Sequence, residues 1–468
     1  MLGSKLRVDR SMSNRKRLFH CVVLFAVVVS AAFWMQPRIS VSDSDACAYT
    51  EGACSLHDGH GYLDANCNRL NHWPPGYSWL LSLFPDPLRA ALVINYISLG
   101  VAVAFIYLLT QNAGWCPLAS SSAALALGFG FLRSLAIFAK PDIFAYALFL
   151  VGMQCLTLED VRWRTLGACI WNALIPVKLI AVVFVPSLLL VDCIVMRDGF
   201  RSFRPRHYSI MVGAWSVAVA VVVGFNYHAM RVILPATHEA GSLHTSAYEI
   251  GQFCVTFFRA FLANWYGSIR KLQALAPFAL TLFSALVCLI TLRPYLEGKR
   301  FACLGLAMLG MTWALEMARH FSGGSRLTGY GLLLVLLAFR PATGARKYWL
   351  TYAGLTVLLT FANVITTNSL GVNDPRYACV AQEVVAAHVT PEPLFTNSYH
   401  VLDVHARRPS LAVERLEDVP PGAGFLWITL PSYDAIQPTI WAVKEPPANW
   451  SVIAKWKDAV LYRKPAAS

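Results

Sequence analysis

Leu166–Met196 reads LGACIWNALIPVKLIAVVFVPSLLLVDCIVM, and the number of times it crosses a membrane decides the fold. A bilayer asks for about 20 apolar residues, so the run is too long for one ordinary span. It also contains Pro176, Lys178 and Pro186. Proline removes a backbone donor, and a cation inside the membrane needs a polar cavity. Two short helices broken near Ile175-Pro176-Val177-Lys178 satisfy both conditions. An uninterrupted run would throw Arg201, Arg204 and Arg206 to the outside.

Further apolar segments flank this run: Leu18–Met35, Leu88–Leu109, Pro117–Leu132, Ile143–Leu158, Tyr208–Tyr227, Ala274–Leu292, Phe301–Leu315, Leu327–Phe339 and Tyr348–Thr366. With the broken run counted twice, the expectation is an α-helical multi-pass membrane protein of about 11 transmembrane helices. A further span near Phe253–Trp265 would restore the count differently. With a cytoplasmic N-terminus, Arg15-Lys16-Arg17, Arg162 and Arg164, Arg197 to Arg206, Arg293 to Arg300 and Arg340 to Lys347 all fall inside, as positive-inside topology requires. Leu18–Ala32 also has the outline of a signal peptide, but Phe33-Trp34 continues the apolar segment and favours an uncleaved anchor.

Composition agrees: 56% of the 468 residues are hydrophobic and 14% are charged, too few for a chain surrounded by water. The net charge of +13 does not imply nucleic acid, because the basic residues fall in short clusters between apolar runs. The organisation expected is a basic cytoplasmic segment over 1–17, a transmembrane domain over 18–369 with an outer first loop at 38–87, and a soluble extracytoplasmic domain over 370–468. In that tail Ala381–His388 reads as a helix, and Pro393–Thr396, Gly424–Thr429 and Ala459–Tyr462 read as strands of a small α/β unit.

The first outer loop holds the chemistry. Asp43, Asp45, Tyr49, Glu51, Asp58 and Asp64 precede Gly59-His60-Gly61-Tyr62 or flank it, and His72-Trp73-Pro74-Pro75-Gly76-Tyr77 follows before the chain turns apolar. A carboxylate at a lipid–water boundary is a general base for a hydroxyl held within hydrogen-bond reach; otherwise such acids only solvate a loop. Cys47, Cys54 and Cys67 share this loop, where one disulfide is expected in an oxidising compartment. His57, His60 and His72 with Asp58 and Asp64 match no standard zinc spacing, so neither metal nor any other cofactor is assigned.

Asp45 and Tyr49 after the first span, then Gly59-His60-Gly61-Tyr62, then Trp73-Pro74-Pro75-Gly76-Tyr77 before an apolar helix, resemble the first outer loop of the GT-C superfamily. This superfamily of polyprenyl-phosphate-sugar-dependent glycosyltransferases includes protein O-mannosyltransferases and lipid A aminoarabinose transferases. The order of anchor, acidic loop, many spans and outer tail is similar along nearly the whole chain. The resemblance implies an inverting transferase of the inner membrane that moves a hexosyl or pentosyl group from a polyprenyl-phosphate donor to a lipid, glycan or protein hydroxyl.

On that reading Asp45 is the base with Asp43 its rival two residues away, and Asp142, in Phe138-Ala139-Lys140-Pro141-Asp142-Ile143, lies near the active site. Asp142 is equally an N-cap by position. Lys178, Arg319, His320 and Arg326 are expected around the lipid phosphate, with Tyr62, His72 and Tyr77 lining the site. Arg319 and Arg326 also suit snorkelling at helix ends. Phe257-Phe258-Arg259 and Asn264-Trp265-Tyr266 read as an interfacial aromatic anchor or a groove for a lipid tail. Two alternatives to catalysis remain: a secondary transporter, which also favours a broken helix with buried charge, and a non-catalytic binder of lipid-linked sugar.

Overall fold

The computed structural model describes residues 14–41, 44–65, 67, 69–70, 73–158, 160–191, 205–230, 292–294, 298–319, 325–341, 347–351, 353–354, 357–358, 376–387, 394–397, 399–406, 408, 410–413, 415–429 and 445–466. Within them the apolar segments form helices at nearly the expected places. Helix α1 spans Asn14–Met35, and α4 spans Pro87–Asn112. Between them the first loop contains two helices, α2 (Ser44–His57) and α3 (Gly76–Ser82). Asp45 therefore stands in the first turn of a helix and not in open loop.

Helix α5 (Pro117–Leu127) runs through a π turn at Gly128–Leu132 into α6 (Arg133–Ala136), and α7 covers Asp142–Leu156. The long run that opened the sequence reading is broken as its prolines require. Helix α8 (Val161–Ala173) ends in a turn over Leu174–Val177, and a 3-10 turn (Leu179–Val183) leads into α9 (Phe184–Leu190). Helices α10 (Pro205–Met230), α11 (Gly298–Arg319) and α12 (Ser325–Leu337) follow. Short strands β1 (Leu292–Pro294) and β2 (Phe339–Pro341) pair antiparallel, setting Arg293 opposite Arg340 at one end of the bundle.

Three described helices, Arg15–Met35, Pro87–Asn112 and Arg206–Tyr227, are long and apolar enough to cross a membrane. Pro117–Leu132, Asp142–Leu156 and Leu179–Leu190 are shorter apolar helices, so the expected count of about 11 is not reached among the described residues. The segments expected near Ala274–Leu292 and Phe253–Trp265 lie outside the described residues, save Leu292.

Lipid tails are as apolar as leucine, so helices in a membrane associate through close packing and not through escape from water. Here α7 and α8 meet at Gly152 and Gly167: a Cβ on Gly167 would come within 2.5 Å of the Gly152 carbonyl oxygen. The contact seats Phe149 flat on Trp171 at 5.2 Å and Tyr146 flat on Tyr330 of α12 at 4.0 Å, forming the centre of the core.

The tail forms a five-stranded mixed sheet in the order β4-β3-β5-β7-β6. Its strands are β3 (Leu394–Thr396), β4 (Ser410–Ala412), β5 (Gly424–Ile428), β6 (Ser451–Lys455) and β7 (Ala459–Arg463). Alternation assigns the faces. Leu426, Ile428 and Leu461 pack under helices α13 (Arg376–Ala386) and α14 (Tyr399–His405), while Phe425, Val460 and Tyr462 pack on the other face with Trp450. Val404 of α14 joins a separate core with Val41, Ala46, Tyr49 and Val177, which fastens the tail to the first loop.

Candidate active site

Four segments converge at the end of the bundle where α1 exits. Just past α1, the Ser40 N–H donates to the Ile137 carbonyl at 2.8 Å and the Ser40 carbonyl accepts from Ala139 N–H at 2.9 Å. This bridge lays the start of the first loop along the turn between α6 and α7. On the far side, Gly76 N–H donates to the Pro176 carbonyl at 2.9 Å, tying the aromatic-proline turn to the break in the α8–α9 hairpin. A Cβ at Gly76 would stand 2.7 Å from that carbonyl oxygen, so this approach needs glycine.

The convergence produces two carboxylate–ammonium pairs. Asp45 accepts a hydrogen bond from the Trp73 indole N–H at Oδ1, 3.0 Å away, and its Oδ2 lies 3.7 Å from Lys140 Nζ. Asp142, in the first turn of α7, accepts from Lys178 Nζ at 2.6 Å. Lys140 and Asp142 sit on either side of Pro141, whose fixed turn lets one side chain reach the first loop and the other reach the broken helix. Exposure separates the two acids: the Asp45 side chain is 24% accessible and Asp142 only 2%. Asp45 can therefore receive a proton from a bound molecule, whereas Asp142 is placed to orient its lysine.

Of the expected lining residues, Tyr77 is fully buried and donates to Asn95 Oδ1 at 2.8 Å, while Asn95 in turn donates to the Phe138 carbonyl at 2.7 Å. Tyr62 donates to the Trp73 carbonyl at 3.3 Å, and burial pushes its phenol well above the ordinary range, so it stays a neutral donor. Both tyrosines brace the backbone that presents Trp73 and Lys140. Sequence reasoning did not single out Lys140, Asn95 or the indole of Trp73. The signal available was Lys140 two residues before Asp142 and Trp73 inside the quoted motif.

Asp43, His72 and His320 lie outside the described residues, and Arg319 and Arg326 are described by their backbone alone. Arg319 closes α11 and Arg326 stands in the first turn of α12. Tyr330, one turn below Arg326, stacks on Tyr146, one turn below Asp142.

The expected disulfide is not formed: Cys47, Cys54 and Cys67 are all thiols. Cys47 is buried in α2 and donates to Glu51 Oε1 at 2.8 Å, one helical turn on, which spends its side chain locally. Glu51 faces the tail. Burial, with a contribution from Asp64, pushes its carboxyl up to about 6. Across from it Asp403 of α14 is pushed up to about 8 by burial and by Glu51, even though Ser410 Oγ donates to it at 2.7 Å. Burial also lowers His405.

A helical membrane protein with an acid-bearing mouth and a sheet-containing tail is the class that these features define. No family model matches the chain, and no curated protein matches it. Among solved structures it is similar to ArnT from Cupriavidus metallidurans bound to undecaprenyl phosphate, with 16% identity, 96% of this chain and 98% of that one covered, and a TM-score of 0.49. It is similar also to the apo state of the same protein, with 16% identity, 95% and 98% coverage, and a TM-score of 0.49.

Proposed function

We propose that this chain is a membrane glycosyltransferase of the GT-C type that moves a sugar, with inversion, from a polyprenyl-phosphate donor to an acceptor hydroxyl at the outer face of the inner membrane. The reading is carried by one observation: Asp45 is half-exposed at the mouth, gripped by the Trp73 indole and by Lys140, beside the buried Asp142–Lys178 pair. A general base must be ionised, oriented and reachable, and donors on the carboxylate provide the first two.

In the step itself the acceptor oxygen attacks the anomeric carbon and its proton passes to Asp45. The bond from that carbon to the phosphate oxygen breaks, and polyprenyl phosphate leaves with the electron pair from the opposite face. Cations at the leaving group stabilise the charge it gains. Lys178, held by Asp142 at 2.6 Å, takes that role, with Arg319, His320 and Arg326 as further candidates for the same phosphate. Asp43 and His72 adjoin Asp45 and Trp73 in sequence and remain candidates beside them. The N-terminus lies in the cytoplasm and the tail outside, with membrane lipids the remaining partner and no nucleic acid.

Purified protein incubated with labelled polyprenyl-phosphate sugars tests the reading. Consumption of at least one donor with release of polyprenyl phosphate is expected. Saturable donor binding without turnover across hexosyl and pentosyl donors would instead mark a non-catalytic binder.

A further inference from the structure

Arg133 opens α6 immediately after the π turn at Gly128–Leu132, in which Gly130 has non-helical angles of φ −85° and ψ −111°. Such turns re-aim the side chain that follows and recur at functional sites. Arg133 is 7% exposed, and its Nη2 donates to Gln36 Oε1 at 3.1 Å. Gln36, just past the end of α1, is 3% exposed. A guanidinium can only donate, so the Gln36 amide has to turn its oxygen toward Arg133. That leaves Gln36 Nε2 buried with no acceptor. Nearby, Tyr96 spends its hydroxyl proton on the Gln36 backbone carbonyl at 2.6 Å.

Two donor groups, one of them fully charged, are therefore buried side by side. No ion pair among the described residues includes Arg133. An uncompensated charge away from water is strongly unfavourable, and chains retain one where it meets a ligand. The pair sits at the same end of the bundle as Asp45, because the Arg133 carbonyl accepts from Ile137 N–H, whose own carbonyl receives Ser40.

We infer that Arg133 and Gln36 form a binding site for a phosphate group. The planar fork of arginine matches two oxygens of an oxyanion, and the amide of Gln36 supplies a third donor to a third oxygen. The approach is apolar: Phe33 meets Tyr96 edge-on at 4.9 Å, and α1 exposes Val27 and Trp34 just before Gln36. A phosphate carried on a lipid can follow that face. The site does not depend on glycosyl transfer, and its test needs no turnover.

Full-length protein in a phosphate-free maltoside detergent would be melted with polyprenyl phosphate, with the matching polyprenol, and with inorganic phosphate. Polyprenyl phosphate is expected to raise the melting temperature saturably, and polyprenol is not. A shift with inorganic phosphate as well identifies the group alone as sufficient; a shift with the lipid alone identifies the lipid form, and both support the site. Arg133→Leu should weaken binding about tenfold or more, with affinity read from the ligand titration against the variant's own unliganded melting temperature. Should that variant fail to fold, Arg133→Lys decides: at least a threefold loss is expected from replacing a fork by a point charge. The proposal is overturned if wild type shows no phosphate-dependent shift. It is equally overturned if Arg133→Leu or Arg133→Lys binds with wild-type affinity, or if the shift disappears in Lys178→Gln but survives in Arg133→Leu.

Discussion

One short helix, α2, carries two acids into opposite surroundings. Asp45 in its first turn meets an indole N–H and an ammonium, whereas Glu51, two turns on, meets Asp403 of the tail. Residue type and chain distance are nearly the same, so the partner decides the role. Asp45 has an indole N–H on one oxygen and an ammonium beside the other. Burial, with repulsion between carboxyls, keeps Glu51 and Asp403 protonated to higher pH, even though Glu51 accepts from Cys47 Sγ and from Ala65 N–H.

The largest effect expected at the mouth is on the buried pair. Lys178→Met deprives Asp142 of its ammonium and should destabilise the protein by about 3–5 kcal/mol, while the double variant Lys178→Met, Asp142→Asn recovers most of the loss. Unfolding followed by intrinsic tryptophan fluorescence checks this; equal stability of the single variant and wild type would show that the pair is not structurally coupled. Next comes Lys140→Gln. Removing a cation 3.7 Å from Asp45 favours the protonated acid. The acid limb of the pH–rate profile should move to higher pH, with turnover recovering to its plateau as the pH rises. A uniform loss across pH would make Lys140 a packing residue.

Trp73→Phe is smaller, since it deletes one hydrogen bond worth about 0.5–1.5 kcal/mol, or about 2–12-fold in turnover, with donor affinity unchanged. The contrast is sharpened by Asp403→Asn. Its carboxyl is raised in the folded protein, so its contribution to stability is present at low pH and is lost as pH rises toward about 8, with Glu51 losing its share near 6. Protection factors in 44–57 and 399–405, with intrinsic exchange rates divided out, should therefore fall between pH 6 and 8 in wild type. In Asp403→Asn they should fall less over that range. A flat wild-type profile would break the contrast between the two acids.

Much of the helical framework was legible because its signal is local. Apolar length located α1, α4, α7 and α10 to within a few residues, and Pro176 with Lys178 located the break between α8 and α9. Alternation found β5 and β7 but not β6, whose Val452 and Ile453 are exposed at a sheet edge, nor the three-residue β4. Helix α2 escaped notice because small and polar residues dominate Ser44–His57 and no apolar stripe marks its period. The site was legible as a set of acids and not as a set of pairs. That Lys140 reaches Asp45, and that Asn95 holds the turn presenting it, are tertiary facts set by the bridge at Ser40 and Phe138. Arg133 lay hidden at the end of an apolar run, where a single cation reads as ordinary punctuation.

Release of polyprenyl phosphate from a saturating labelled donor, compared among wild type, Asp45→Asn and Glu51→Gln, tests the division of roles most directly. Asp45→Asn should bind donor normally and turn over about 10²–10⁴-fold more slowly. Glu51→Gln should stay within about threefold of wild type, because the amide oxygen can still accept from a first-loop donor and the residue has no part in the proton transfer. Near-normal turnover by Asp45→Asn, or an equal loss in both variants, would contradict the assignment of Asp45 as the base.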